Sequence, residues 1–92
     1  MICYAECEWY IFTSQSLKEK RSILQRTLTR LKQKYNVSVA ELDYQNVWQR
    51  TKIAIVTVSS SRQSAEKELQ NAIKFLDSFP EWERGDTIFE WR

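Results

Sequence analysis

Histidine is absent from this 92-residue chain, and with it go the Ser-His and Cys-His nucleophilic pairs and most zinc and copper sites. A single glycine, Gly85, excludes the glycine-rich phosphate cradles of both common kinds. Two cysteines, Cys3 and Cys7, are the only thiols. On a strand they would share a face but stand about 13 Å apart, at ~3.3 Å per residue. A disulfide needs α-carbons within roughly 7 Å, so the two are expected to be small buried apolar side chains. No apolar run approaches the ~18 residues that a membrane helix requires. Met1-Ile2-Cys3-Tyr4-Ala5-Glu6 lacks a basic stretch and meets an acid early, so no signal peptide is expected and the default location is cytoplasmic.

What the chain does hold is charge of uneven placement. Residues 1–52 carry a net charge of +4 and residues 53–92 a net of −2, against a total of +2. Ser16 and Glu19 have the S-x-x-E spacing of a capping box, which starts a helix at Leu17. Leu17, Leu24, Leu28, Leu31 and Tyr35 then recur at helical spacing and define a face to bury. Lys18, Lys20, Arg21, Arg26, Arg30, Lys32 and Lys34 decorate the remainder against one acid, Glu19. On a helical wheel Lys18, Arg21 and Lys32 border one edge of the buried stripe and Lys20 and Lys34 the other, with Arg26 and Arg30 on the back.

The rest of the chain reads as short alternating elements. Residues 2–12 alternate with period two, setting Cys3, Ala5, Cys7, Trp9 and Ile11 against Tyr4, Glu6, Glu8, Tyr10 and Phe12, as in a half-buried strand. The first helix runs to about Lys34, where Asn36 can take the left-handed backbone that ends a helix. Val37–Leu42 is a second strand, broken by Asp43-Tyr44-Gln45-Asn46. Residues 50–59 are a third strand, within which Ile53–Val58 is largely apolar on both sides, the mark of a central strand. Serines 59–61 cap a second helix with an Ala65, Leu69, Ala72, Ile73, Leu76 stripe, and Pro80 ends it. Thr87–Trp91 is a short last strand. The order βαββαβ over residues 1–92 predicts one ferredoxin-like α+β domain, a four-stranded antiparallel sheet with two helices on one face.

That fold hosts many functions, so the residues must discriminate. An acylphosphatase-type enzyme needs a glycine- and arginine-bearing loop after the first strand, and Phe12-Thr13-Ser14-Gln15-Ser16 has neither. An RRM-type RNA binder stacks bases on aromatics of its first and third strands, but the third has none here, and Glu6 and Glu8 on the outer face of the first would repel phosphates. Glu41 and Asp43 fall two apart on one side of a strand and could in principle share a proton or hold a divalent ion. Carboxylates at a strand end are more often solvated or salt-bridged, and no enzymatic centre, cofactor or metal site is expected. Two surfaces remain. One is phosphate contact by Lys18, Lys20, Arg21, Arg26, Arg30 and Lys34, joined by the turn where Trp48, Gln49 and Arg50 can add local recognition. The other is the open sheet face, whose aromatics and aliphatics suit a homodimer or a protein partner.

Ser16-Leu17-Lys18-Glu19-Lys20-Arg21, Asn36-Val37-Ser38-Val39-Ala40-Glu41, Asp43 with Gln45, Trp48-Gln49-Arg50 and Phe79-Pro80-Glu81-Trp82-Glu83 stand in that order. Together they resemble the bacterial YlxP-like family of small proteins across essentially the whole chain. The resemblance implies a ferredoxin-like fold and a bacterial cytosolic setting. It also implies a gene neighbourhood shared with transcription elongation, translation initiation and ribosome-binding factors. It brings no catalytic residue to transfer. The Phe12-Thr13-Ser14 exit from the first strand departs from the Pro-Gly-type turn expected in many relatives. The reading is a non-enzymatic accessory protein whose partner is RNA or a ribosomal subunit.

Overall fold

The computed structural model describes residues 1–92, and its centre is the first strand, β1 (Ile2–Tyr10). β1 pairs antiparallel with β3 (Arg50–Val58) on one side and with β4 (Glu83–Trp91) on the other, while β2 (Ser38–Asp43) pairs with β3. The strand order is β2-β3-β1-β4. Helices α1 (Leu17–Lys34) and α2 (Arg62–Asp77) cover one face, giving the ferredoxin-like α+β arrangement. The alternation along β1 is carried into three dimensions: Cys3, Ala5, Cys7, Trp9 and Ile11 are fully buried against the helices. Ile53 and Ile55 of β3 join them, as do Leu24 and Leu31 of α1 and Leu69, Ile73 and Leu76 of α2. Both thiols are free and buried, and burial pushes each above its ordinary pKa, which keeps them protonated and inert.

Local chemistry sets the helix ends. Ser16 accepts from the Glu19 N–H at 3.1 Å, and Glu19 reaches back to the Gln15 N–H at 3.0 Å, one residue before the cap. Ser61 caps α2 by accepting from the Ser64 N–H. The end of α1 differs from expectation. Tyr35 is extended (φ −127°), and the only positive φ in a non-glycine residue falls at Tyr44 (φ 64°). Asn36 instead bridges elements: its N–H donates to Glu68 of α2 at 2.8 Å, and its carbonyl accepts from Thr57 of β3 at 2.6 Å.

β4 is also longer than expected, beginning at Glu83 rather than Thr87. Between the pairs Cys7–Thr87 and Trp9–Arg84, Gly85 and Asp86 together oppose the single residue Glu8. This bulge lets the strand continue through a segment whose charges and glycine argue against it locally. A Cβ at Gly85 would stand 3.0 Å from the Tyr10 ring, so the only glycine lies where backbone and aromatic meet most closely. Trp82, just before β4, is buried edge-on against Trp9, with centroids 5.4 Å apart.

Thr27 of α1 lies in the core at 1% exposure, and its hydroxyl has no partner. A buried unpaired hydroxyl costs more than the isosteric methyl that could replace it. Thr27→Val is therefore expected to stabilise the fold by about 1 kcal/mol, read as a thermal midpoint raised by about 5 °C for a domain of this size.

Candidate nucleic-acid interface

The cations of α1 divide into two groups. Lys18, Arg21, Arg26, Arg30, Lys32 and Lys34 are exposed, whereas Lys20 is completely buried. The expectation that Lys20 edges a solvent-facing basic surface is thereby corrected. Leu17, Lys20, Leu24, Thr27 and Leu31 follow a three-four spacing, and that stripe faces the sheet. Lys20 extends beneath the helix to Glu41 of β2, with Nζ 3.0 Å from Oε2, and donates to the carbonyl of Tyr44. Thr51 of β3 donates to the same Glu41 oxygen. Glu41 is thus engaged inward, while Asp43, beyond a bulge in β2, accepts from the Tyr44 N–H at 2.7 Å. The two carboxylates serve different partners and form no shared acid pair.

The exposed cations of α1 have no carboxylate partners. The ion pairs of the molecule are Lys20–Glu41, Arg50–Glu8 at 2.9 Å and Arg84–Asp77 at 3.5 Å. The acids of α2 that could have balanced α1 are partly spent elsewhere, Glu68 on the Asn36 N–H and Asp77 on Arg84. Arg30 lies over Phe79 (5.4 Å) and Lys34 over Phe75 (5.0 Å), so aromatic rings steady these charges without neutralising them. The six exposed cations wrap both flanks of the helix over about 24 Å at 1.5 Å per residue. Arg21 and Lys32 border a groove against β2, whereas Arg26 lines a cleft with Pro80 and Glu81 on the other flank.

Against the first turns of α1 the β2–β3 turn forms an aromatic tip. Trp48 is 51% exposed and does not close the core. Gln49 looks inward: its Nε2 donates to the carbonyls of Phe12 and Ser14, both at 3.0 Å, and its own carbonyl accepts from the Ile11 N–H. Its role is to brace the turn against the exit of β1. Arg50 lies over Tyr44 at 4.0 Å and Tyr10 at 5.6 Å while donating to Glu8, and that carboxylate holds it firmly protonated. Phe12 stacks parallel on Tyr10, with centroids 5.5 Å apart. Of the residues expected at the interface, Lys18 and Arg21 are exposed on the first turns of α1 and Trp48 on the turn that Lys20 ties to that helix. Gln49 and Arg50 are engaged within the turn. Arg26, Arg30 and Lys34 continue along the helix, and Lys20 is withdrawn. Tyr10, Phe12 and Tyr44 were absent from the expected site; for Tyr10 and Phe12, the outward phase of the β1 alternation was the available signal.

A family model described as "Protein of unknown function (DUF503)" matches residues 2–88. The chain belongs to this family. Its sequence is 56% identical over 91 residues to the uncharacterised protein YlxP of Bacillus subtilis (strain 168), covering 99% of both chains. The motifs that resembled the YlxP-like family thus belong to a match along the whole length. In this DUF503 chain no three His, Cys, Asp or Glu residues are grouped to hold a metal ion, and no helix is long and apolar enough to cross a membrane.

The buried ion pair makes its own forecast. Removing one partner strands the other charge away from water, whereas removing both does not. Lys20→Met is expected to destabilise the fold by about 3 kcal/mol, and adding Glu41→Leu to recover part of that loss. Denaturant melts of the two single variants and the double variant measure the coupling.

Proposed function

We propose that this protein is a non-enzymatic accessory protein that binds RNA or a ribosomal subunit through the phosphates, using α1 and the 43–50 turn. The observation that supports this reading is the set of six exposed cations on α1, none in an ion pair, on a helix whose first turn is tied through Lys20 to the turn that carries the exposed Trp48. Unpaired surface cations raise the local potential and release counterions when they meet phosphates. The gene neighbourhood implied by the YlxP-like resemblance points to the same partners. With roughly four phosphates engaged, log K should fall with log salt at a slope of about −3. Co-sedimentation with ribosomal subunits and with bulk RNA at ~50 and ~200 mM salt reads that slope. Charge reversal at Arg21, Arg26 and Arg30 together is expected to abolish pelleting while leaving the melting curve intact. Unchanged pelleting would defeat the proposal.

A second reading places a partner on the open sheet face, where Ile2, Leu42, Val58 and Ile88 are exposed. Glu6, Glu8 and Glu90 interrupt those residues, and Tyr4 is raised in pKa by its burial and by Glu6 and Glu90 beside it. A homodimer through this face would bring the same carboxylates together in both copies. Light scattering at high micromolar concentration is expected to give a monomer mass, and a dimer mass would favour this second reading.

A further inference from the structure

The tip holds a stack in progress. Tyr44, Arg50, Tyr10 and Phe12 succeed one another as planar groups: the guanidinium lies over both tyrosine rings, and Phe12 is parallel to Tyr10 within 5°. The series ends in the open, since Phe12 is 57% exposed and has no other ring against it. Trp48, also half exposed, stands in the adjoining turn, which Gln49 ties to the Phe12 and Ser14 carbonyls. Two aromatic side chains are therefore shown to solvent on a braced support, where folding would normally bury them.

The charges around the tip are arranged to match. Glu8 is paired with Arg50 and Glu41 with Lys20. Glu19 and Asp43 are turned onto the backbone N–H groups of Gln15 and Tyr44. Lys18 and Arg21, in the first turns of α1, remain unpaired. Glu83, opposite Tyr10 at the start of β4, and Glu81, which lines a cleft with Arg26, are the unpaired acids of this end, so a polyanion is repelled from the β4 side of the tip and drawn toward Lys18 and Arg21.

Building on the phosphate-binding reading above, we infer that the tip takes unpaired bases and that the ligand is single-stranded rather than duplex RNA. Phe12 and Trp48 offer faces on which bases stack, and Lys18, Arg21 and the rest of α1 follow the backbone. A duplex hides its base faces and can use only the cations. Every base has a π-face, so this chemistry selects strandedness and not sequence.

Fluorescence anisotropy with a labelled single-stranded RNA of about 12 nucleotides, within the length such platforms cover, and with a duplex of the same length tests this on the intact chain. The wild type is expected to prefer the single strand. Trp48→Ala and Phe12→Ser should each weaken single-strand binding by about tenfold, the scale of one lost stacking contact, and leave duplex binding nearly unchanged. Trp48→Tyr should restore most of the loss. Both sites are exposed, and thermal melts of the variants confirm that folding is intact. Equal binding of the two RNAs with no effect of Trp48→Ala would overturn the inference and leave the phosphate reading standing. Binding of neither RNA would overturn both.

Discussion

The buried Lys20 ammonium is the interaction on which the arrangement of this molecule turns. A charge with no solvent contact is tolerable only when its donors are matched, and here the matching groups come from the edge strand and the turn beyond it. The bond to the Tyr44 carbonyl is made where the chain adopts a left-handed backbone, which a tyrosine enters only when its surroundings compensate. Lys20 below and the Arg50 guanidinium above hold that residue in place. The first turn of α1, the end of β2 and the start of β3 are thereby locked together, and the aromatic tip is a product of that lock.

Seen this way, the cations of α1 have unlike duties. One is spent inside the protein, where it replaces the water it has lost with an anion and a carbonyl. The others keep their hydration and their field, since none of them is held in an ion pair. The polarity of the molecule follows. The basic helix covers one side of the sheet, the carboxylates of the open face and of β4 lie on the other, and the tip stands at the end where the two sides meet.

Much of the fold was legible in the sequence because its signals are local. The capping box of α1, the serine cap of α2, the period-two alternation of β1 and the two-sided apolarity of β3 each act within a few residues. What escaped depends on distant partners. Lysine is almost never fully buried unless paired, and the Glu41 that pairs with Lys20 belongs to another element, so a charged residue on an apolar stripe was read as an edge. The first half of β4 has little strand propensity of its own and is imposed by pairing with β1 across the bulge at Gly85. Asn36 has the composition of a helix stop, yet Tyr44 takes the left-handed backbone, because the contacts that compensate for it converge at the tip. At the candidate site, the exposed cations and Trp48 could be read from composition. The stacking of Arg50 and Phe12 could not, since it needs three separate segments brought together.

Both outer strands of the sheet carry an extra residue, in β2 between Glu41 and Asp43 and in β4 opposite Glu8. An inserted residue puts the free N–H and C=O groups out of phase with any regular strand laid alongside, and it twists the rim away from flatness. A neighbouring molecule would find matching hydrogen-bond partners along only part of either rim. The sheet is consequently finite by construction. In crowded solution such a sheet resists growth into fibrils, although it is bordered by two strands, β2 and β4, whose backbones have a side unpaired.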